Sequence, residues 1–322
     1  MTIEVNQLHK TFGSVPALNG MTFTVNPGEL YGFVGSNGAG KTTTMRIMLG
    51  VLNADYGSVT RDGKALSFAD RARFGYMPEE RGLYPKMAIN DQLIYLARLH
   101  RVPVERAKEQ VEYWTKKLGI HHRGKENVQN LSLGNQQRVQ LCAALIHDPE
   151  VLVLDEPFSG LDPLAVEMMG AALREKAAQG TTVIFSSHQL DLVERICDRI
   201  GIASMGKIAA EGTPTELRTR NSENLFEIQS PDARATAEAI AALTESVDII
   251  DAHTLRAQLR GNEDQALLHA ALAGGPVHSF TRYLPRLSEL FGSIVTVPSS
   301  ETEEATPKKT GLFARLGGRR KK

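Results

Sequence analysis

The segment GSNGAGKTT, Gly35–Thr43, is the feature that most constrains this chain, and it directly follows the apolar run Leu30–Val34. It fits the pattern G-x-x-x-x-G-K-[ST], in which glycines let the backbone curl so that its N–H groups point at phosphate oxygens. A helix that begins near Lys41 adds the positive end of its dipole. A chance glycine turn is the alternative, which the strand and helix on either side disfavour. The loop residues expected at phosphate are Gly35, Ser36, Asn37, Gly38, Ala39, Gly40, Lys41, Thr42 and Thr43.

Two carboxylates, Asp155 and Glu156, follow the apolar run Val151–Leu154. In a parallel sheet, ligands collect at the carboxyl ends of the strands. We expect Lys41 to reach the β- and γ-phosphates and the Thr42 hydroxyl and Asp155 to hold Mg²⁺, Asp155 largely through its water shell. Glu156 is placed to polarise an attacking water. A helix cap or a surface acid pair is the alternative for these acids taken alone.

The first 220 residues alternate short apolar strands with amphipathic helices, a rhythm that predicts an α/β domain with a largely parallel sheet. The clearest strands are Leu30–Val34, Val151–Leu154 and Thr181–Ser186, each apolar enough to be buried on both faces. A helix is predicted after Asp162 as N-cap, ending at Gly180.

Other stretches of this region depart from the alternating rhythm. Residues 1–26 predict antiparallel strands with turn signals at Gly13 and Gly20, and residues 85–125 predict an inserted helical subdomain with Leu93, Leu96 and Leu99 at helical spacing.

A second, smaller unit is predicted from residue 221 to 298. Its strands are expected at 224–229 and within 247–260, its helices at Ala233–Leu243 and Asp264–Ala273, with a mixed segment at 275–297. Residues 299–322 turn polar and then basic, which predicts a disordered tail. The tail either lies on an anionic membrane surface or is a solvated, solubilising segment. The domains are therefore 1–220, 221–298 and 299–322.

Bulk composition excludes several classes of protein. Lys plus Arg and Asp plus Glu both number 37, so no overall field favours nucleic acid or an anionic surface. Two cysteines, Cys142 and Cys197, do not make a disulfide framework and indicate a reducing compartment. No apolar run approaches the length of a membrane span, so we expect another chain to cross any membrane on which this one acts.

The segment LSLGNQQR, Leu131–Arg138, precedes the Val151–Leu154 strand and resembles the signature LSGGQ of the ABC ATPases. Leu133 and Asn135 depart from the signature, whereas Ser132 and Gly134, the positions that matter for phosphate, are present. The start of the helix that follows supplies a second anion-binding end. The resemblance covers residues 1–220 and implies a P-loop NTPase core of ABC type that binds ATP and Mg²⁺.

Further positions match the family one by one. Phe12 resembles the aromatic residue that stacks on adenine, with Val15 beside it, and SGLD, Ser159–Asp162, resembles the loop that touches a partner subunit. His188 resembles the switch histidine at the γ-phosphate. Taken singly, Phe12 could be a core residue and His188 a capped loop residue. The resemblance implies a head-to-tail homodimer closing on two ATP molecules, coupled to a separate transmembrane permease at the inner face of the cell membrane.

Glu79 in GYMPEERGLYPKM departs from the family, which usually has Gln there to contact Mg²⁺, the attacking water and the membrane partner. This variant, like the C-terminal unit, resembles a branch of exporter ATPases that includes sodium- and drug-extruding systems. Glu79 is therefore a candidate catalytic residue and metal ligand. The alternative is that Glu79 pairs with Arg81 or Lys86 on the loop surface.

The sequence thus predicts the ATP-hydrolysing subunit of an ABC transporter, with export as the expected direction by resemblance. One rival is a soluble ABC ATPase that acts on DNA or ribosomes, whose relatives usually carry two cassettes, long coiled coils or zinc motifs. The other rival is a nucleotide-binding regulator without turnover, which the joint presence of Lys41, Asp155, Glu156 and His188 disfavours. No nucleic-acid partner is expected.

Overall fold

The computed structural model describes residues 1–80, 82–220 and 224–296. Its strands are β1 Ile3–Phe12, β2 Val15–Val25, β3 Leu30–Gly35, β4 Tyr56–Arg61, β5 Lys64–Ala65, β6 Phe74–Met77, β7 Val151–Leu154, β8 Thr182–Ser187, β9 Arg199–Ser204, β10 Lys207–Gly212, β11 Leu225–Gln229, β12 Thr244–Ile249, β13 Thr254–Leu259 and β14 Ser279–Arg282. Its helices are α1 Lys41–Met48, α2 Phe68–Arg71, α3 Ile89–Leu99, α4 Val104–Lys117, α5 Leu133–Leu145, α6 Pro163–Ala178, α7 Leu190–Ile196, α8 Pro214–Arg220, α9 Ala233–Ile240, α10 Asp264–Ala273 and α11 Leu287–Thr296.

The central sheet has the order β10-β9-β3-β8-β7-β6, with every neighbouring pair parallel except β10 and β9. This confirms the predicted α/β fold with a largely parallel sheet. The predicted strand at Val151–Leu154 is found unchanged, and the one at Thr181–Ser186 is shifted by one residue. Because β3, β7 and β8 run the same way, their carboxyl ends meet at one edge of the sheet.

Both faces of this sheet are covered, which explains why its strands are apolar throughout. Leu30 and Val34 of β3 pack into a core shared with the helices, whereas Tyr31 and Phe33 of the same strand pack against the antiparallel sheet. Alternation along one strand therefore serves two separate cores. The edge that carries the strand ends stays open to solvent at the loops.

The predicted antiparallel region is a second sheet of order β2-β1-β4-β5. Gly13 turns the β1–β2 hairpin with a φ of 60°, as its turn signal indicated. The turn signal at Gly20 was wrong, because Gly20 lies inside β2. There Leu8 pairs with Met21 and His9 with Asn19, so Gly20, with a φ of 88°, is the extra residue of a β-bulge.

The predicted helical subdomain at 85–125 consists of α3, α4 and a short 3₁₀ turn at His121–Arg123. The buried face of α3 carries Ile89, Leu93 and Ala97, spaced four residues apart, while Leu99 is exposed. The helix predicted after Asp162 is α6: the Asp162 side chain accepts from the Ala165 N–H at 2.8 Å.

The C-terminal unit has its own antiparallel sheet of order β12-β13-β11-β14, packed on α9 and α10 around Phe226, Ile228, Leu255 and Leu267. The predicted helix Asp264–Ala273 is found with the same bounds, and the mixed segment resolves into β14 and α11. The first strand of the predicted pair begins earlier, at Thr244. The predicted tail 299–322 lies outside the described residues.

Helix α11 does not pack on this unit alone. Leu287 and Leu290 are buried in the helical core of the first region, beside α7 and α8. Over the ranges that the structure describes, no helix has the length and apolar character needed to cross a membrane. Cys142 and Cys197 are both free and buried.

Candidate functional site

Two glycines of the predicted phosphate loop, Gly35 and Gly40, leave no room for a side chain. β3 ends at Gly35 and α1 begins at Lys41, with Gly40 between loop and helix at a φ of 97°. A Cβ on Gly40 would lie 2.5 Å from Leu18 Cδ2 and 2.8 Å from the Ala17 carbonyl oxygen. The backbone therefore packs against its neighbours as only glycine allows, and the free N–H groups of the first turn of α1 face the cleft.

Lys41 lies within the loop and is only 7% exposed. Its Nζ donates to the carbonyl oxygens of Gly35 at 2.7 Å and Ser36 at 3.3 Å. The loop thus holds one ammonium group beside its own inward-facing backbone, which is an arrangement suited to a polyphosphate.

An open cleft of about 520 Å³ lies over this loop. It brings together residues that the sequence placed up to 144 positions apart, from Phe12 to Glu156. Its lining includes the predicted residues Phe12, Val15, Ser36, Asn37, Gly38, Ala39, Gly40, Lys41, Thr42, Thr43, Glu79, Asp155 and Glu156. Phe12 is 50% exposed and Val15 65% exposed, so both offer apolar surface to a ligand ring at the rim.

Asp155 follows β7 and is 1% exposed. Its Oδ1 accepts from the Ser186 hydroxyl at 2.6 Å, and the same hydroxyl oxygen accepts from the Glu156 N–H at 2.8 Å. Within the described residues, Asp155 Oδ2 is buried without a hydrogen-bond partner. A buried carboxylate oxygen left free in a cleft that also contains Thr42 fits a hard divalent cation.

Ser186 was missed by the sequence reasoning, although a signal was present. It is the first of two serines that end the buried strand β8 just before His188. Because β8 lies beside β7 in the sheet, a polar residue at its carboxyl end faces the carboxylates at the end of β7.

Glu156 is held in an unusual backbone conformation, with a φ of 49°. Its Oε2 lies 2.9 Å from His188 Nδ1, and its carbonyl oxygen accepts from Gln137 Nε2 at 3.3 Å. Glu156 is 8% exposed, whereas the His188 side chain is 55% exposed. A buried carboxylate and a histidine therefore form one hydrogen-bonded pair beside the cleft, with the histidine reaching solvent.

Tyr76 of β6 is half-buried near Asp155. Burial, and next the negative charge of Asp155, raise the pKa of its hydroxyl above the usual value. Arg46 and Glu79 are close enough to influence the same group.

Glu79 lines the cleft and is exposed to solvent. In the part of the chain that the structure describes, its carboxylate makes no ion pair, so the proposed pairing with Lys86 is not observed, and Arg81 lies outside that part. Gln140 of α5 supports this loop by donating to the carbonyl oxygens of Pro78 at 3.4 Å and Glu80 at 3.5 Å.

The remaining predicted residues do not line the cleft of their own chain. Ser132 is the exposed N-cap of α5, with Gly134 in its first turn. Ser132 makes no side-chain capping bond, so its hydroxyl and the first N–H groups of α5 stay free of each other. Asp162 caps α6 and lies 3.9 Å from Arg138. The start of α5 thus lies apart from the cleft within one chain.

Two protein-family models match this chain. A family model described as ABC transporter matches residues 18–159. A model described as the C-terminal domain of DrrA1-3-like ATP-binding proteins matches residues 212–295.

Individual relatives and solved structures are similar over much of their length. An uncharacterized ABC transporter ATP-binding protein, YhaQ of Bacillus subtilis (strain 168), is 34% identical over 290 residues, which is 90% of this chain and 97% of the relative. The Nod factor export ATP-binding protein I of Burkholderia lata is 32% identical, over 83% of this chain and 92% of the relative. A solved ATP-binding subunit of an ABC transporter superposes with a TM-score of 0.63 at 28% identity, covering 68% of this chain and 93% of that one.

Proposed function

Since this chain belongs to the ABC transporter ATP-binding proteins, and is an ATPase of that family, we propose that it powers export through a separate membrane permease. We further propose that two copies close head to tail around ATP and reopen on hydrolysis. The observation that carries this proposal is the cleft in which Lys41, Asp155 and Glu156 converge, with His188 bonded to Glu156.

Head-to-tail closure is supported by the separation of the two anion-binding ends. The start of α5 at Ser132 is exposed and lies outside the cleft of its own chain. An exposed helix start with unpaired N–H groups is available to complete a phosphate site in another copy. Leu133 and Leu164, which are 49% and 65% exposed, offer apolar surface beside these loops for such a contact.

In hydrolysis, each group of the cleft has a separable task. The loop N–H groups and Lys41 bind the phosphates, and Phe12 with Val15 contacts the base. The Glu156 carboxylate accepts a hydrogen bond from the attacking water and polarises it. His188 holds the Glu156 carboxylate, and Ser186 holds the Glu156 backbone. Mg²⁺, which the Thr42 hydroxyl and the free oxygen of Asp155 would hold together with Glu79, would neutralise charge on the phosphates.

Export and membrane attachment rest on similarity and on the exposed loop that carries Glu79. The name of the Burkholderia lata relative refers to export, and the C-terminal unit matches a domain of DrrA-like proteins. We propose that the permease contacts the loop at 79–87, and that the chain is held peripherally at the inner face of the cell membrane by this contact. We also propose 1–220 as the ATP-binding domain and 221–298 as an accessory domain.

Substitution of Glu156 by Gln tests the proposal. Glu156→Gln should retain ATP binding, lose turnover and accumulate a dimer in Mg-ATP, because both nucleotides stay intact between the copies. Size-exclusion chromatography and steady-state ATPase assays measure these effects. Glu150→Gln is the matched control, since Glu150 precedes the same strand at its opposite end and pairs with Arg73 at 2.8 Å.

Two outcomes would contradict different parts of the proposal. Turnover by Glu156→Gln at the rate of the unsubstituted chain would remove Glu156 from the chemistry. A Glu156→Gln chain that binds ATP but stays monomeric would remove head-to-tail closure. Co-purification with nucleic acid instead of a membrane protein would favour the rival class of soluble ABC ATPases.

A further inference from the structure

The first turn of α11 is bonded to α7. The Ser288 hydroxyl donates to Asp191 Oδ1 at 2.8 Å, and the Leu287 N–H donates to Glu194 Oε2 at 3.1 Å. The Leu287 side chain is fully buried in the core beside α7, so its backbone position is fixed. Two polar contacts and one buried apolar side chain thus attach the end of the C-terminal unit to this helix.

The next residue of the same turn is bonded to the C-terminal sheet. The Glu289 carboxylate accepts from the Tyr283 hydroxyl at 3.0 and 2.9 Å and lies 3.3 Å from Arg256 of β13. The Arg256 guanidinium lies 3.6 Å from the centroid of the Tyr283 ring and pairs with Glu227 of β11 at 3.1 Å. The segment 287–289, here called the joint, therefore links α7 to the C-terminal sheet through consecutive residues.

Arg218 of α8 fastens the chain just before the joint. Its guanidinium donates to Glu194 at 3.0 Å, to the Pro285 carbonyl at 2.9 Å and to the Leu284 carbonyl at 2.7 Å. Glu194 consequently accepts from both Arg218 and the joint. This geometry uses the planar fork of an arginine, which a lysine would not reproduce.

Helix α7 begins at Leu190, two residues after His188, with Gln189 as its N-cap. The Gln189 N–H donates to the Ser187 hydroxyl at 3.0 Å, and this hydrogen bond restricts motion of His188 relative to the start of the helix. His188 and Ser288 line the same open groove, of about 610 Å³, on this side of the molecule. Because a short helix moves as a unit, a shift of α7 at Asp191 would displace His188 from Glu156.

We propose that the joint is a positioning element for ATP hydrolysis: it holds α7 so that His188 stays on Glu156, and the C-terminal unit thereby sets the turnover rate. The inference rests on the proposed roles of His188 and Glu156. Ser288 is its positioning residue, since its hydroxyl is the side-chain contact to Asp191. Nucleotide affinity is set elsewhere, at the phosphate loop and Phe12.

Three substitutions in the full chain separate positioning from simple stability. Ser288→Ala removes the contact, Ser288→Thr keeps a hydroxyl, and Ser246→Ala is the same chemical change on an exposed residue of β12. Loss of one net hydrogen bond corresponds to about a fivefold change in an equilibrium. We expect Ser288→Ala to lower kcat by about that factor with the KM for Mg-ATP within about twofold, while the other two variants match the unsubstituted chain.

The route through His188 is tested by adding Ser288→Ala to His188→Gln and measuring single-turnover hydrolysis with enzyme in excess. If Ser288 acts through His188, the second substitution should change the residual rate by less than about twofold. A further fivefold loss would show a different route and overturn the inference.

Other outcomes are also decisive. An unchanged kcat in Ser288→Ala, or an equal loss of kcat in Ser288→Thr, would overturn the inference about the joint and leave the proposed function intact. A rise in the KM for Mg-ATP with an unchanged kcat would show a role in nucleotide binding and would also overturn the inference. Hydrolysis is measured on this chain without a permease, so failure of the export proposal would not affect the result. Absence of hydrolysis in the unsubstituted chain would contradict both this inference and the proposed hydrolytic function.

Discussion

The two ends of the central sheet differ in how their charged side chains are paired. At the carboxyl ends of the strands, Asp155 is buried with one oxygen free of any partner in the described part of the chain. At the amino ends, buried Lys176 pairs with Asp148 at 2.5 Å, and exposed Arg73 pairs with Glu150 at 2.8 Å. A buried carboxylate oxygen left unpaired beside a cleft indicates a place where a ligand completes the site, whereas these two ion pairs indicate stabilisation of the fold.

The comparison predicts how substitutions at the two ends of the sheet differ in effect. Substitutions at the carboxyl ends should change binding or turnover with little change in the free energy of unfolding. Substitutions at the amino ends should change that free energy and leave the chemistry intact. The cause is that a ligand site keeps donors and acceptors free for its ligand, and those groups contribute less to the fold than groups paired within it.

The largest effect is expected from Lys41→Ala at the carboxyl end. Removing the ammonium deletes charge-assisted contacts to the phosphates, which should weaken ATP binding by about 100-fold or more. Titration calorimetry with ATP measures the affinity, and urea unfolding checks that the variant stays folded although the carbonyl oxygens of Gly35 and Ser36 each lose the Lys41 donor. Lys207→Ala, on the exposed face of β10, is the matched control. Equal ATP affinity in both variants would show that Gly35–Thr43 is not the phosphate site.

At the amino end, His147 should make stability depend on pH. Its Nε2 lies 3.2 Å from the Phe74 carbonyl oxygen and its ring stacks on His100 at 3.7 Å. Burial, and next the neighbouring His100, lower the pKa of His147 from 6.5 to about 4. The folded state therefore favours the neutral ring, and the stability present above pH 6.5 is lost as pH falls towards 4.

The expected loss between pH 7.5 and pH 5 is at most about 2 kcal/mol of the free energy of unfolding. Urea unfolding at pH 7.5, 6.5 and 5 should show this slope in the unsubstituted chain and a smaller one in His147→Asn, which cannot titrate. His122→Asn, at an exposed position, should keep the original slope. Identical slopes in all three chains would show that His147 does not contribute to the pH dependence of the free energy of unfolding.

Ser186→Ala sharpens the comparison because Ser186 is a fully buried residue at the carboxyl end. Its hydroxyl bonds both Asp155 and the Glu156 backbone. Loss of the hydroxyl should lower kcat by about tenfold, a change of ~1.4 kcal/mol. Ser204→Ala, at the end of β9, should leave kcat unchanged. If Ser186→Ala instead lowered the unfolding free energy with kcat intact, this end would be structural after all.

The sequence predicted those parts of the fold that depend on local signals. The buried runs at β3 and β7, the Asp162 cap of α6 and the glycine loop between β3 and α1 were found where the pattern placed them. Gly20 was misread because a positive φ serves a bulge as well as a turn. The local pattern carried no information on which of the two backbone features required it.

The missed contacts are those between residues distant in sequence. Ser186 reaches Asp155 across 31 positions and Ser288 reaches Asp191 across 97. A serine is common at strand ends and helix starts for capping reasons alone. Its partner is determined by how the elements pack in three dimensions, and the chain pattern does not specify that packing. The residue-by-residue roles at the cleft stay predictions until they are tested by substitution.

The smallest effect is expected at Glu79, where the comparison is weakest because the residue is exposed. An ionised Glu offers only acceptor oxygens, whereas Gln offers one oxygen and an amide donor. Its charge would strengthen a metal contact but would oppose close approach of phosphate oxygens, so the two electrostatic effects have opposite signs. What Glu and Gln share is an oxygen facing the cleft. If that oxygen contacts the metal or the attacking water, Glu79→Gln should keep turnover within about twofold and Glu79→Ala should lower it by about fivefold, ~1 kcal/mol. The measurement is ATPase rate against Mg²⁺ concentration, with Glu80→Ala as the control at the adjacent exposed acid. Equal rates in all four chains would show that Glu79 is a surface residue without a role in turnover. The link between unpaired polar groups and ligand binding would then hold only for buried atoms.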